Sequence, residues 1–374
     1  MYPRKILKQI ERQLNGSEVL LLFGARRTGK STLLQMMKDS RNDMEIFSCD
    51  NPVVYDVLQT KNVSLIKNIF QDAKIVALDE AQVVPDIGLV LKLLYDDRES
   101  DVKIIATGSS SFDLSNKTGE PLTGRNLAYR LFSLSLDEIK EKNGWLSVLE
   151  NLNDYLVYGT YPGIIDLNTK DKVERLIRLS GDYLFKDILK FERLKSPDLL
   201  RKLLKALALQ IGSQVSVQEL SKLLRISAAT VERYLDLLEK SFIIFKLPVL
   251  SSNARNELKK SRKYFFYDNG IRNALINNFN LITDRADAGD LWENFCVAEY
   301  LKTIEYERRF SNLYFWRTYD GAEIDLVEEI NGEYRAFEFK WSVRRKPKLP
   351  ESFKTKYNVT DFKVISPENI HELK

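Results

Sequence analysis

The segment Gly24-Ala25-Arg26-Arg27-Thr28-Gly29-Lys30-Ser31 has the spacing G-x-x-x-x-G-K-S. Its glycines allow a tight turn in which successive main-chain N–H groups point at phosphate oxygens, and a helix beginning at its end adds a positive dipole. In such a loop Lys30 reaches the β- and γ-phosphates of a nucleoside triphosphate, Ser31 ligates Mg2+, and Thr32 follows at the helix start. Arg26 and Arg27 lie near the nucleotide by position. An acidic pair, Asp79-Glu80, closes the apolar run Ile75-Val76-Ala77-Leu78. There Asp79 joins the Mg2+ shell through water, and Glu80 orients and polarises the attacking water. Thr107 and Ser109, at the end of the apolar run Ile104-Ile105-Ala106, are candidates for a polar sensor of the γ-phosphate. An arginine that reaches the same phosphate contributes about 10³- to 10⁵-fold in turnover. Arg125, directly after Gly124, is preferred over Arg130 for that role, in its own chain or from a neighbouring subunit.

A second constellation lies toward the C-terminus. Asp325 stands in Ala322-Glu323-Ile324-Asp325-Leu326-Val327, and Glu338 and Lys340 stand in Ala336-Phe337-Glu338-Phe339-Lys340-Trp341. Alternate residues of a strand share a face, so Glu338 and Lys340 point away from Phe337, Phe339 and Trp341. Asn331-Gly332 between the two runs is a hairpin signal, and pairing across it brings Asp325 to Glu338 and Lys340. Two carboxylates suit Mg2+ or Mn2+, which acidifies bound water; the lysine orients that water or neutralises charge developing on a phosphate.

The elements that must hold these groups follow from the hydrophobic pattern. The apolar runs at 19–23, 75–78 and 103–107 have the length and continuity of buried parallel strands, and 31–37 has helical character. This predicts an α/β fold with a P-loop parallel sheet over residues 1–145. Residues 146–198 form a helical connector, interrupted by the Gly/Pro segment 158–163. Over 199–270 the pattern is helix, capped helix, tight turn, helix, then strands at 242–247 and 263–267. That describes a winged helix whose wing carries Arg255, Lys259, Lys260, Arg262 and Lys263. Residues 271–374 form a small α/β domain: a helix at 291–301, then strands around 313–317, Asp325 and Glu338.

Composition bounds the chemistry. The chain has 374 residues, 44% hydrophobic and 29% charged, as in a globular protein of two or three domains. No apolar run approaches the length of a membrane helix, and the N-terminus lacks a signal-peptide core. Two cysteines, Cys49 and Cys296, fit a reducing cytoplasm without a disulfide framework. The single histidine, His371, rules out a histidine triad or a multi-histidine zinc site and leaves carboxylates for any metal. A net charge of +4 is too small to indicate nucleic acid by itself, so local clusters must carry that argument.

The first set of motifs resembles the AAA+ ATPases. With Leu78-Asp79-Glu80-Ala81-Gln82, Thr107-Gly108-Ser109-Ser110 and Leu134-Ser135-Leu136-Asp137-Glu138 added, the chain resembles a prokaryotic family that fuses this ATPase to a C-terminal nuclease-like region. The second set resembles the PD-(D/E)xK, restriction-endonuclease-like class. Asp325 matches the acid of its second strand, Glu338 and Lys340 the E-x-K of its third, and Glu293 the acid of its leading helix. The proline that often precedes the acid is Ile324 here. The resemblance implies ATP and Mg2+ in the first domain, Mg2+ or Mn2+ held by Glu293, Asp325 and Glu338 in the last, and DNA as partner. Arg344, Arg345, Lys346 and Lys348 are suited to phosphate contact. A homo-oligomer follows if an arginine is donated between subunits. The expected function is ATP hydrolysis that gates DNA engagement; the competing reading is a nucleotide-controlled switch with a non-cleaving nuclease-fold scaffold. A small-molecule kinase is disfavoured because the Asp-Glu pair suits water activation.

Overall fold

The computed structural model describes residues 1–97, 101–109, 122–183, 197–251, 262–343 and 347–373. Their contacts divide into two compact units, one built mainly from residues 1–134 and the other mainly from 135–374. Arg255, Lys259, Lys260, Arg344, Arg345, Lys346 and Ser110 lie outside the described residues.

The first unit is a five-stranded sheet of β1 (Val19–Phe23), β2 (Met44–Ser48), β3 (Ile75–Asp79), β4 (Lys103–Gly108) and β5 (Asn126–Arg130). The strand order is β2-β3-β4-β1-β5 and every pairing is parallel. All five residues of β1 and all six of β4 are buried, which is why they are almost uninterrupted apolar runs. Parallel strands put all their C-terminal ends on one edge. Phe23, Asp79 and Gly108 therefore open onto the same rim, where ligands of open α/β sheets collect.

The second unit contains two smaller sheets. Helix Pro197–Leu209, β6 (Gln214–Val215), helix Val217–Leu224, helix Ala228–Lys240, β7 (Ile244–Pro248) and β8 (Arg262–Phe266) follow one another in the chain. Their strands form an antiparallel sheet in the order β6-β8-β7. Next come the helix Ala288–Glu307, β9 (Asn312–Arg317), β10 (Glu323–Ile330), β11 (Glu333–Phe339), the short helix Glu351–Lys354 and β12 (Val359–Ile365). These strands lie in the order β12-β11-β10-β9, antiparallel except for the parallel β11–β12 pair. The β10–β11 hairpin turns on Asn331 (φ 53°) and Gly332 (φ 82°), the two left-handed residues that a tight primed turn requires.

The two sheets of this unit are joined. Val249 bridges Phe315, and Leu250 N–H donates to the Phe315 carbonyl at 2.7 Å. Asn294, fully buried on the long helix, accepts from Phe266 N–H at 2.7 Å and donates to the Phe266 carbonyl at 3.0 Å. Its amide thus stands in for a strand neighbour at the end of β8 and satisfies main-chain groups that would otherwise be buried unpaired.

Candidate functional site

The loop between β1 and helix Lys30–Asp39 takes the shape its sequence demands. A Cβ on Gly24 would lie 2.2 Å from the Leu131 carbonyl oxygen, so no larger residue fits there. Gly29 has φ 101° and opens the helix. Lys30, 4% exposed, donates to the Gly24 and Ala25 carbonyls at 2.9 and 3.2 Å, which places its ammonium over the loop. Ala25 and Thr28 are buried and close the turn, with Thr28 Oγ1 donating to the Ala25 carbonyl at 2.9 Å. Arg26 is half-buried; Arg27 is exposed with φ 63°, and Ser31 and Thr32 are exposed on the first helical turn.

Ser31 Oγ donates to Asp79 Oδ2 at 2.6 Å, and Thr107 Oγ1 donates to Asp79 Oδ1 at 2.6 Å. Asp79 is thereby held from the helix after β1 and from β4. Glu80 follows in a left-handed conformation, φ 55° and ψ 39°, with its N–H donating to Thr107 Oγ1 at 3.0 Å. A non-glycine residue in that region carries strain, which the Thr107 bond helps to hold. Gln82 Nε2 donates to Glu80 Oε2 and, at 3.1 Å, to Ser109 Oγ. Gln82 Oε1 is buried with no hydrogen-bond partner among the described residues, an acceptor beside the Glu80 carboxylate. Thr107 is fully buried and its hydroxyl holds both acids. The hydroxyl of Ser31 and the carboxylate of Asp79 are the oxygen ligands that Mg2+ takes together with phosphates, so these residues fit a magnesium nucleotide.

Two residues of this region depart from expectation. Arg125 sits beside Val19 at the N-terminal ends of the strands, where its carbonyl accepts from Val19 N–H. The rise of β1 separates it from the loop by about 13 Å, and its guanidinium pairs with Asp96 at 3.0 Å. Arg130, paired with Phe23 at the other end of β5, is the arginine on the loop side. Arg4, for which the pattern carried no signal, is 7% exposed and donates to the carbonyls of Thr28 and Phe132, both at 2.7 Å. It ties the phosphate loop to the chain after β5.

In the second unit, Asp325, Glu338 and Lys340 come together as the hairpin register requires. Lys340 Nζ lies 2.6 Å from Glu338 Oε1 and 4.0 Å from Asp325 Oδ2, and Asp325 Oδ2 accepts from Phe339 N–H at 2.7 Å. Glu293 faces the same cluster from the long helix. Burial and the Asp325 charge push its carboxyl above the usual range, against the pull of Lys263. Burial also raises Asp325, and burial with the Asp325 charge raises Glu338. Glu323, at the start of β10, joins them.

Lys263 is the unexpected member. The sequence pattern places it in a positively charged wing, and its side chain is 3% exposed. Its Nζ lies 2.9 Å from Glu293 Oε1 and 2.7 Å from Glu323 Oε1, with the ammonium 5.4 Å from the Phe315 ring centre. Strand alternation puts Lys263 on the face of β8 opposite Arg262, which is partly exposed and lies 3.8 Å from Glu232. Among the described residues no group of three or more His, Cys, Asp or Glu side chains is placed to hold a metal ion. The expected trio Glu293, Asp325 and Glu338 is gathered but not arranged as ligands, because Lys263 and Lys340 draw two of its members to themselves.

Comparison with known proteins agrees with this geometry. A profile described as an AAA domain matches residues 16–140. The first unit is an AAA-type P-loop ATPase domain. Two profiles described as domains of unknown function match residues 149–281 and 288–369. An uncharacterized protein of Mycobacterium tuberculosis is 27% identical over 90% of this chain and 73% of its own length. An uncharacterized protein of Methanocaldococcus jannaschii is 27% identical over 83% of this chain and 72% of its own. Among solved structures, a Walker-type ATPase of Pyrococcus abyssi superposes with a TM-score of 0.51 at 19% identity, covering 74% of this chain and 96% of that one. That likeness is one of fold. No helix of the described residues is long and apolar enough to cross a membrane. Cys49 and Cys296 are both buried and free.

Proposed function

We propose that this chain is an ATP-hydrolysing protein that engages DNA through residues 197–266 and the β9–β12 sheet. The observation that carries the hydrolytic reading is the fixed Asp79-Glu80 pair. One acid accepts a hydrogen bond from Ser31 of the loop, and the next accepts from Gln82 Nε2. Mg2+ held by Ser31 and Asp79 would offset the charge of the phosphates. The chain's own residues position it: Ser31 and Asp79 take the ion, Lys30 takes the phosphates, and Glu80 accepts the proton of the attacking water.

The DNA reading rests on element order. Helix, strand, helix, helix, strand, strand with the β6-β8-β7 sheet is the order of a winged helix, and helix, three strands, helix, strand with a parallel β11–β12 pair is that of the PD-(D/E)xK core. Helix Ala228–Lys240 exposes Glu232, Arg233 and Asp236, a face poorly suited to reading base edges. Contact with the phosphate backbone is therefore the expected mode, and it weakens steeply with salt. The test is ATP turnover with and without duplex DNA across a salt series, with Lys30→Ala as control. Turnover that survives Lys30→Ala, or DNA affinity indifferent to salt, refutes it.

A second reading has its own observation. The ion pairs Lys263–Glu293 and Lys340–Glu338 favour a scaffold that does not cleave. Plasmid cleavage with Mg2+ or Mn2+, compared with Lys340→Ala, separates the two: metal-dependent nicking that this substitution abolishes supports a nuclease, and inactivity in every metal supports the scaffold.

A further inference from the structure

We infer that Lys263 is the resident cation of the carboxylate cluster in the second unit, filling the role a divalent ion would otherwise have there. The inference rests on the PD-(D/E)xK reading of the β9–β12 sheet, and its novelty lies in a residue from outside that sheet. Lys263 belongs to β8, which pairs with β6 and β7.

The geometry is that of a built site. The ammonium is buried and lies within hydrogen-bond distance of two carboxylates from different elements, Glu293 of the long helix and Glu323 of β10. The Phe315 ring provides a third wall. The cluster holds four carboxylates, Glu293, Glu323, Asp325 and Glu338, against two ammonium groups, Lys263 and Lys340. Arg317 also reaches Glu323 Oε2 at 3.8 Å, yet the carboxyl groups still outnumber the cations, and removing Lys263 would leave Glu293 buried without a close cationic partner among the described residues. Buried charges of one sign are tolerated only when paired or bound to a metal. Gly212 also approaches: a Cβ there would stand 3.1 Å from Glu293 Oε2, so the chain between helix Pro197–Leu209 and β6 closes over the carboxylate. Lys263 therefore joins the two sheets electrostatically where Asn294 and the Val249–Phe315 bridge join them through the main chain. In this arrangement a divalent ion and the Lys263 ammonium exclude one another, and the cluster admits metal only when β8 withdraws its lysine.

The experiment uses the full chain without nucleotide, titrated with Mn2+ and followed by calorimetry and by thermal unfolding. Wild type is expected to show neither saturable Mn2+ uptake nor a thermal shift. Lys263→Met is expected to unfold at lower temperature, to take up Mn2+ at a single saturable site, and to recover thermal stability as it does so. Adding Asp325→Asn to that variant is expected to abolish the uptake. Saturable Mn2+ binding by wild type that Asp325→Asn removes would overturn the inference, as would a folded Lys263→Met that takes up no Mn2+. A second measurement covers the case in which Lys263→Met does not fold. If Lys263 serves as counter-ion, the double variant Lys263→Met/Glu293→Gln is more stable than Lys263→Met alone. A double variant as damaged as the single one overturns the proposal. Absence of salt-dependent DNA binding by wild type would sink the functional reading above while leaving these metal titrations to stand or fall separately.

Discussion

Thr107 Oγ1 lies 2.6 Å from Asp79 Oδ1, so a fully buried hydroxyl on β4 fixes the acid at the end of β3. The same oxygen accepts Glu80 N–H at 3.0 Å, which holds the left-handed residue that follows. One side chain therefore sets the direction of both acids. Replacing Thr107 with valine keeps the shape and deletes both bonds. Turnover should fall about 10- to 100-fold, the usual effect of removing a group that orients a metal ligand. Steady-state ATPase assays at several Mg2+ concentrations check this; unchanged turnover would mean that Asp79 and Ser31 suffice without it.

Arg125 makes the opposite prediction. It sits at the far ends of the strands and pairs with Asp96, both side chains being about one-third to two-fifths exposed. Such pairs contribute about 0–1 kcal/mol. Arg125→Ala should leave stability and the turnover of dilute protein nearly unchanged, whereas Arg130→Ala should slow turnover. A strong loss in Arg125→Ala that grows with protein concentration would show the arginine acting on a neighbouring subunit.

Arg4 reaches the phosphate loop from a part of the sequence with no motif. Its two bonds, to the Thr28 and Phe132 carbonyls, are buried and charge-assisted. Arg4→Met should destabilise the first unit by about 1.5–3 kcal/mol and weaken ATP binding, because Thr28 loses its anchor. Urea unfolding and nucleotide titration give the two values. Destabilisation without loss of affinity would restrict Arg4 to a packing role.

Asp287 contributes to acid stability in the second unit. It accepts from Arg272 at 2.5 Å and from Arg285 at 2.8 Å, and Arg272 in turn donates to the Ala208 carbonyl. Burial acts to raise the carboxyl, but the bonds from Arg285 and Arg272 outweigh it and hold it down at about 2, below its ordinary 3.8. A depressed acid stabilises the fold above its unfolded value. That contribution should be lost as pH falls from 3.8 through about 2. Asp287→Asn should reduce the acid sensitivity. At neutral pH it should cost about 3 kcal/mol, the low end for a broken buried pair, since Asp287 remains 24% exposed. Unfolding curves at several pH values test the sign.

The sequence alone determined what depends on neighbours along the chain. The phosphate loop was legible because Gly24, Gly29, Lys30 and Ser31 act within a single turn. The β10–β11 hairpin was legible because Asn331-Gly332 fixes its register, and that register alone brings Asp325 to Glu338 and Lys340. Only the tertiary structure decided matters that depend on which strands become neighbours. Sheet polarity put Arg125 at the N-terminal ends of the strands and Arg130 on the loop side, although five residues separate them. Burial turned Lys263 from one positive charge among several into a partner of Glu293 and Glu323, thirty and sixty residues away. A charge run in a sequence carries no information about which of its members faces inward. That is settled when β8 pairs with β7 and strand alternation turns Lys263 toward Glu293 and Glu323 and Arg262 to the other face.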